Sequence, residues 1–308
     1  MQATLRQSVS FDGVGLHSGT GVRMVLHPAP VNHGIQFRRI DLAGRPRVRA
    51  TWDAARPATL CTRIVNADGI SVSTIEHIMA ALAGCGVHNV LVDLDGPEVP
   101  ILDGSAEPFV REILTGGLDQ QDAPLRAVKV LRTVEVRNGG SVARIQPEDG
   151  LSIEFQIDFD DAAIGLQEKS LNLANGTFVH ELCDSRTFCR QSDVDAMRAQ
   201  GLALGGTYDN AVVVDGDAVL NPGGLRHTDE AVRHKMLDAL GDLALAGMPV
   251  LGRYVGVRSG HAMTIRLLHA LFADPNNYVV VECDTAMTGM MPGAGVQLDD
   301  LPAQPRVL

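Results

Sequence analysis

Two hydrophobic periods run through the chain. Arg23 to Leu26 and Asn89 to Leu94 read as strands, the second as the buried run Val-Leu-Val-Asp-Leu. Ser73 to Ala83 carries Ile75, Ile78, Met79 and Leu82 at helical spacing, and a shorter helix is expected at Pro108 to Leu114. Gly84 to Gly86 separates the first helix from the strand that follows. Gly116 to Pro124 is polar and turn-rich, which places a boundary between a first domain, 1–120, and a second, 125–285. Beyond it, Val128 to Val136, Ser141 to Ile145 and Leu151 to Phe159 alternate like antiparallel strands. A short helix is expected at Asp193 to Gln200, a strand at Ala211 to Val214, and another helix at Arg266 to Phe272. The longest helix runs from about Glu230 to Ala246 and stops at Gly247 and Pro249. Residues 286–308 form a tail. Strands with helices between or after them in both halves make an α+β pattern, compatible with two similar domains.

At 308 residues the chain exceeds the usual size of a single core, which agrees with two domains. Aromatic residues are only 4%, so Ala, Val, Leu and Met must fill the interior. The formal net charge of -11 argues against nucleic acid as a partner, because phosphate backbones need clustered Lys and Arg. A single anionic small molecule remains compatible, since a few placed cations set a local field. The five cysteines include no Cys-x-x-Cys pair, which points away from a disulfide framework and towards a reducing compartment. Met1 to Phe11 lacks the apolar core of a signal peptide, and no apolar run reaches spanning length. A cytoplasmic location is expected.

The long helix carries the first chemical signal. Val232, Met236, Leu237, Ala239, Leu240, Leu243 and Ala244 share one broad arc, while His234, Asp238 and Asp242 stack at i, i+4 steps on the other side. Asp229 stands where an N-cap is needed. His and Asp one turn apart can share a metal ion, and a catalytic zinc takes three protein ligands plus water. The pattern by itself favours a solvated helix face, since it is common by chance, so it proposes only a half-site. His77 offers the missing ligand, and neighbouring Glu76 offers a base for water held by the ion. Read alone, that segment favours another account: Ser73-x-x-Glu76 is a capping-box pattern, with His77 a core histidine. His261, in Arg258-Ser259-Gly260-His261, is a further candidate in a tight turn.

Several longer motifs then resemble one family. They are Gly13-Val14-Gly15-Leu16-His17-Ser18-Gly19, Ser73-Thr74-Ile75-Glu76-His77, Asp103-Gly104-Ser105-Ala106, Ser185-Arg186-Thr187-Phe188, Gly201 to Gly206, and Val232 to Asp238. In this order, and over nearly the whole chain, they resemble the UDP-3-O-acyl-N-acetylglucosamine deacetylases. These enzymes perform the committed step of lipid A synthesis in Gram-negative bacteria. The resemblance implies two similar α+β domains, each a mainly antiparallel sheet with helices, the helices packed between the two sheets. It implies hydrolysis of the substrate's N-acetyl group, with release of acetate. It implies one zinc ion held by His77, His234 and Asp238, Glu76 as general base, His261 as general acid and Asp242 as the carboxylate that orients it. Thr187 corresponds to a hydroxyl near the developing oxyanion. Lys235, Phe188 and Arg258 correspond to substrate contacts, and an insertion at about 190–213 corresponds to the acyl-chain passage.

The chain departs from the family pattern at two places. Asp160-Asp161-Ala162 follows Phe159 where His-Pro is common, which removes motif support for Phe159 as a nucleotide-stacking residue. Arg258 stands where lysine is expected, keeping the charge with a different geometry. A monomer that acts on an acylated UDP-sugar is the resulting expectation. Two alternatives stay open: a zinc hydrolase for another acetylated sugar, and a sugar-nucleotide binding protein without turnover. Iron could occupy the same ligands.

Overall fold

The computed structural model describes residues 1–56, 58 and 60–301; the end of the expected tail, 302–308, lies outside the described residues. Two sheets dominate. The first has the strand order Val9–Val14, Gly21–Pro28, Val90–Leu94, Ile35–Arg39, Arg47–Arg49. Its neighbours are antiparallel except Val90–Leu94 with Ile35–Arg39, which run parallel. Five strands of the seven-stranded second sheet repeat the plan as Val134–Asn138, Ser141–Gln146, Val250–Val257, Leu151–Asp158, Leu166–Asn172, again with only the third and fourth of these parallel; Arg126–Val130 joins the same sheet by pairing parallel with Val250–Val257. The outlying pairs match as well. Gln2–Leu5 pairs antiparallel with Leu118–Gln121, as Arg126–Val130 does with Tyr278–Glu282.

Seven α-helices occur among the described residues: α1 Glu76–Gly84, α2 Glu107–Gly116, α3 Thr177–Glu181, α4 Gln191–Ala199, α5 Glu230–Leu243, α6 His261–Ala273 and α7 Thr285–Gly289. Helix α1 leads into the third strand of the first sheet, and α5 leads into the third strand of the second. These two helices pack directly on each other, and α5 also contacts the strands Leu151–Asp158 and Leu166–Asn172. One apolar cluster runs through both halves, from Leu5 to Leu271. The two sheet-and-helix units of the sequence reading are therefore present, joined through a continuous core.

The small residues of α1 and α5 set how close the helices lie. A Cβ added at Gly241 would stand 2.1 Å from the backbone oxygen of Glu76 and 3.2 Å from the nitrogen of Ala80. Only glycine fits there, so its entropic handicap in a helix is tolerated for close approach.

Several elements differ from the sequence reading. The polar stretch Gly116 to Pro124 contains a strand, Leu118–Gln121, because it pairs with the N-terminal strand. Asp229 makes no side-chain cap; its carboxylate takes Arg233 at 2.5 Å and Lys169 at 3.0 Å instead. His261 lies not in a turn but at the first position of α6, since extended Gly260 starts the helix earlier than Arg266. Among the described residues, no helix is long and apolar enough to cross a membrane.

Candidate active site and metal centre

Glu76 opens α1, and the chain enters that helix through Thr74, whose φ of 57° lies in the left-handed region. A β-branched residue is strained there and needs support. The Thr74 hydroxyl supplies it by donating to Glu98 Oε1 at 3.0 Å. The capping-box reading fails for a positional reason. Ile75 is the N-cap, so Glu76 is the first helical residue, and Ser73 still belongs to a strand paired with Arg63. The Glu76 carboxylate is buried and accepts the Thr62 N–H at 3.0 Å.

The polar stripe of α5 is buried rather than solvated. His234, Asp238 and Asp242 are each at most 4% exposed, because the stripe faces α1 and α6. His234 Nδ1 donates to the Ser185 carbonyl at 3.0 Å, which fixes the tautomer and leaves Nε2 free as a ligand. That Nε2 lies 3.3 Å from Asp238 Oδ1, and His77 Nε2 lies 3.7 Å from the same oxygen. The ligand atoms of His77, His234 and Asp238 all fall within 4.8 Å of one another. Asp238 Oδ1 is buried and has no hydrogen-bond donor among the described residues. A buried, unpartnered carboxylate oxygen facing two imidazole nitrogens is expensive unless a cation sits between them. The donor set fits a divalent metal of the zinc type. Burial, followed by the neighbouring His234, drives the His77 pKa down to about 3, so its imidazole is neutral and ready to ligate. Burial would raise the Asp238 pKa, but His234, Lys235 and His261 hold it well below the ordinary carboxylate value.

His261 reaches the same place from α6. Its Nδ1 donates to Asp242 Oδ2 at 2.9 Å. Its Nε2 lies 3.8 Å from both Glu76 Oε1 and Asp238 Oδ2. Burial opposes a charge on this ring, but Asp242, then Asp238 and Glu76, raise its pKa to about 9. Burial pushes the Glu76 carboxyl up to about 7, against the pull of His261. A carboxyl near neutrality beside an imidazolium is the arrangement that acid–base catalysis needs.

These groups line a cavity of about 1000 Å³. Glu76, His77, Thr187, His234, Lys235, Asp238 and His261 form its polar end, and Val194, Met197, Leu202, Ala203, Ala211 and Val213 line it with apolar side chains. Thr187 is placed by its N–H, which donates to Gly104 O at 2.8 Å. Gly104 has a φ of 83°, and a Cβ there would stand 1.9 Å from Asn210 O, so the glycine in Asp103-Gly104-Ser105 is a packing requirement. Lys235 Nζ donates to Asp238 Oδ2 at 2.5 Å. Phe188 lies edge-on to His234, with ring centroids 6.3 Å apart. Arg258 stands apart from the cavity wall, with its guanidinium paired to Asp158.

The structure also brings in residues to which the sequence assigned no role at the site. Phe159 lines the cavity beside Phe188, their centroids 5.5 Å apart, although the motif after it departs from the family pattern. His17 lines the cavity with neither ring nitrogen bonded among the described residues. Thr62 touches Glu76 through its backbone, a role no side-chain pattern could disclose.

Comparison with known proteins agrees with this site. The sequence profile of the family described as LpxC, UDP-3-O-acyl N-acetylglycosamine deacetylase, matches residues 2–273. The UDP-3-O-acyl-N-acetylglucosamine deacetylase of Stenotrophomonas maltophilia (strain K279a) is 46% identical over 289 residues, covering 93% of this chain and 95% of that protein. The enzyme of the same name from Mannheimia succiniciproducens is 46% identical over 275 residues, covering 89% of this chain and 90% of its own. That from Haemophilus influenzae (strain 86-028NP) is 42% identical over 275 residues, with the same coverage. The motifs, the converging donor set and these similarities together establish that the chain belongs to the UDP-3-O-acyl N-acetylglycosamine deacetylase family.

Proposed function

We propose that this chain removes the N-acetyl group of UDP-3-O-[(3R)-3-hydroxyacyl]-N-acetylglucosamine, releasing acetate, as the committed step of lipid A synthesis in the cytoplasm. The observation that carries the proposal is the unpartnered Asp238 Oδ1, which faces two imidazole nitrogens beside Glu76 and His261. His77, His234 and Asp238 would hold one zinc ion. When bound, zinc supplies Lewis acidity, polarising the amide carbonyl and making water easier to deprotonate.

The chain's own groups supply the rest. Glu76 takes a proton from the attacking water, for which its raised pKa makes it a stronger base than an exposed carboxylate. His261, kept protonated chiefly by Asp242, stabilises the oxyanion and then donates its proton to the departing amine. Thr187 lines the same cavity, and its hydroxyl adds a donor for the oxyanion. Lys235 offsets substrate charge; Arg258, paired with Asp158 away from the cavity wall, would do so only by exchanging that partner for the substrate. Phe188 gives an aromatic wall, and the apolar lining from residues 190–213 takes the acyl chain. A monomer suffices, because every group named comes from one chain.

The test is acetate release from acylated and non-acylated UDP-N-acetylglucosamine, with chelator and metal add-back. Turnover that prefers the acylated substrate and returns with zinc is expected. Equal turnover of both sugars would remove the acyl passage from the proposal. Tight binding without turnover in zinc-replete buffer would overturn the enzyme reading.

A further inference from the structure

Thr62 is fully buried, at 0% exposure, and lies just before the strand Arg63–Val65. All its polar groups are engaged at the site. Its carbonyl accepts the Ile75 N–H at 3.4 Å, at the entrance to α1. Its N–H donates to Glu76 Oε2 at 3.0 Å. Its hydroxyl donates to Asp242 Oδ1 at 2.5 Å, across the contact between α1 and α5. Asp242 spends its other oxygen on His261 Nδ1. One side chain in the first half thus orients a carboxylate of the second, and the same residue's backbone orients the carboxylate of Glu76.

We infer that Thr62 is a positioning residue that sets the acid and the base of the deacetylation in mutual register. The inference rests on the acid–base roles proposed above. A carboxylate free to turn about its last bond would present either oxygen, or a tilted one, to His261. With Oδ1 held by the Thr62 hydroxyl, Oδ2 is fixed towards the imidazole, and the ring is aimed so that Nε2 faces Glu76 and Asp238. Supporting hydrogen bonds of this kind keep catalytic groups within the narrow geometry that proton transfer tolerates. The preceding residue, Cys61, is also buried, and desolvation chiefly pushes its thiol up to about 12.

The test uses the metal-loaded full chain and steady-state acetate release. Thr62→Val keeps the shape and removes the O–H donor; Thr62→Ser keeps the donor. The expected result is a kcat about ten- to hundredfold lower for Thr62→Val, with KM changed less than about twofold and metal content intact. Thr62→Ser should recover to within about threefold of the parent, as a role through the hydroxyl requires. In an Asp242→Asn background, Thr62→Val should add little further loss, because the two act as one unit. Near-parental kcat in Thr62→Val, a Thr62→Ser enzyme as slow as Thr62→Val, or losses that multiply in the double variant would each overturn the inference. If Thr62→Val does not fold, Thr62→Ala against Thr62→Ser makes the same comparison. An inactive parent enzyme would sink the functional reading itself and leave a different result from any of these.

Discussion

Replacing Gly241 by Ala tests whether the site depends on the close contact of α1 and α5. The added methyl would sit 2.1 Å from Glu76 O and 2.9 Å from Glu76 C, against an ordinary contact starting at 3.4 Å. Backbone atoms cannot rotate aside, so α5 must retreat from α1 by about 1 Å, an overpacking penalty of about 1–3 kcal/mol. Better helix propensity returns at most about 1 kcal/mol. The functional effect should exceed the net stability loss. Metal ligands tolerate only about 0.2 Å of displacement, and His77 would move relative to His234 and Asp238. Misplacement of about 1 Å is expected to lower kcat/KM by about a hundredfold. Metal content by elemental analysis, chelator competition and a thermal melt read the three consequences. A Gly241→Ala protein with the parent's melting temperature, metal content and turnover would refute the claimed apposition.

Other outcomes follow from the same geometry. Glu76→Gln and His261→Ala should each lose about 10²- to 10⁴-fold in kcat while keeping the metal, whereas His77→Ala and Asp238→Ala should lower metal content itself. A plot of kcat/KM against pH should be bell-shaped. Its acid limb comes from Glu76, which must lose a proton around pH 7, and its alkaline limb from His261, which must keep one until about pH 9. A bound cation would draw both limbs down. Outside the site, burial lowers the His88 pKa to about 4 while its Nδ1 accepts the Ala3 N–H at 3.0 Å. The unfolded chain then binds a proton that the folded chain refuses. Stability is fully present above pH 6.5 and falls as pH drops towards 4, by up to about 2 kcal/mol once partial exposure is allowed for. His88→Gln should flatten that acid limb in urea titrations at pH 7 and pH 4.5; an unchanged slope would discount it.

How far the site was legible depended on what kind of interaction holds each part. Helical periodicity exposed α5 and its stacked His234, Asp238 and Asp242, because the repeat of 3.6 is a local property. The burial of that stripe was not legible, since it arises from α1, which is remote in sequence. The Glu76 ambiguity had the same origin. Ser73-x-x-Glu76 satisfies a local rule, and only the pairing of Ser73 with Arg63 moves the helix start beyond it. Motif resemblance gave His261 its role and located Thr187 but left Phe159 in doubt, because the residues after it depart from the family pattern although its ring packs against Phe188. Thr62 escaped both approaches: a buried threonine leaves no periodic or charged trace.

The donors of the cation site are divided between two repeats of one topology, His77 on one and His234 with Asp238 on the other. Neither repeat owns a complete chelate. As the ribosome delivers the chain, a lone imidazole emerges first and is a poor competitor for a scarce ion. An ion held by all three donors would therefore load only once both repeats have docked. Once in place, the ion would act as a rivet across the joint, so starving a cell of metal would loosen the seam between the halves as well as idle the enzyme.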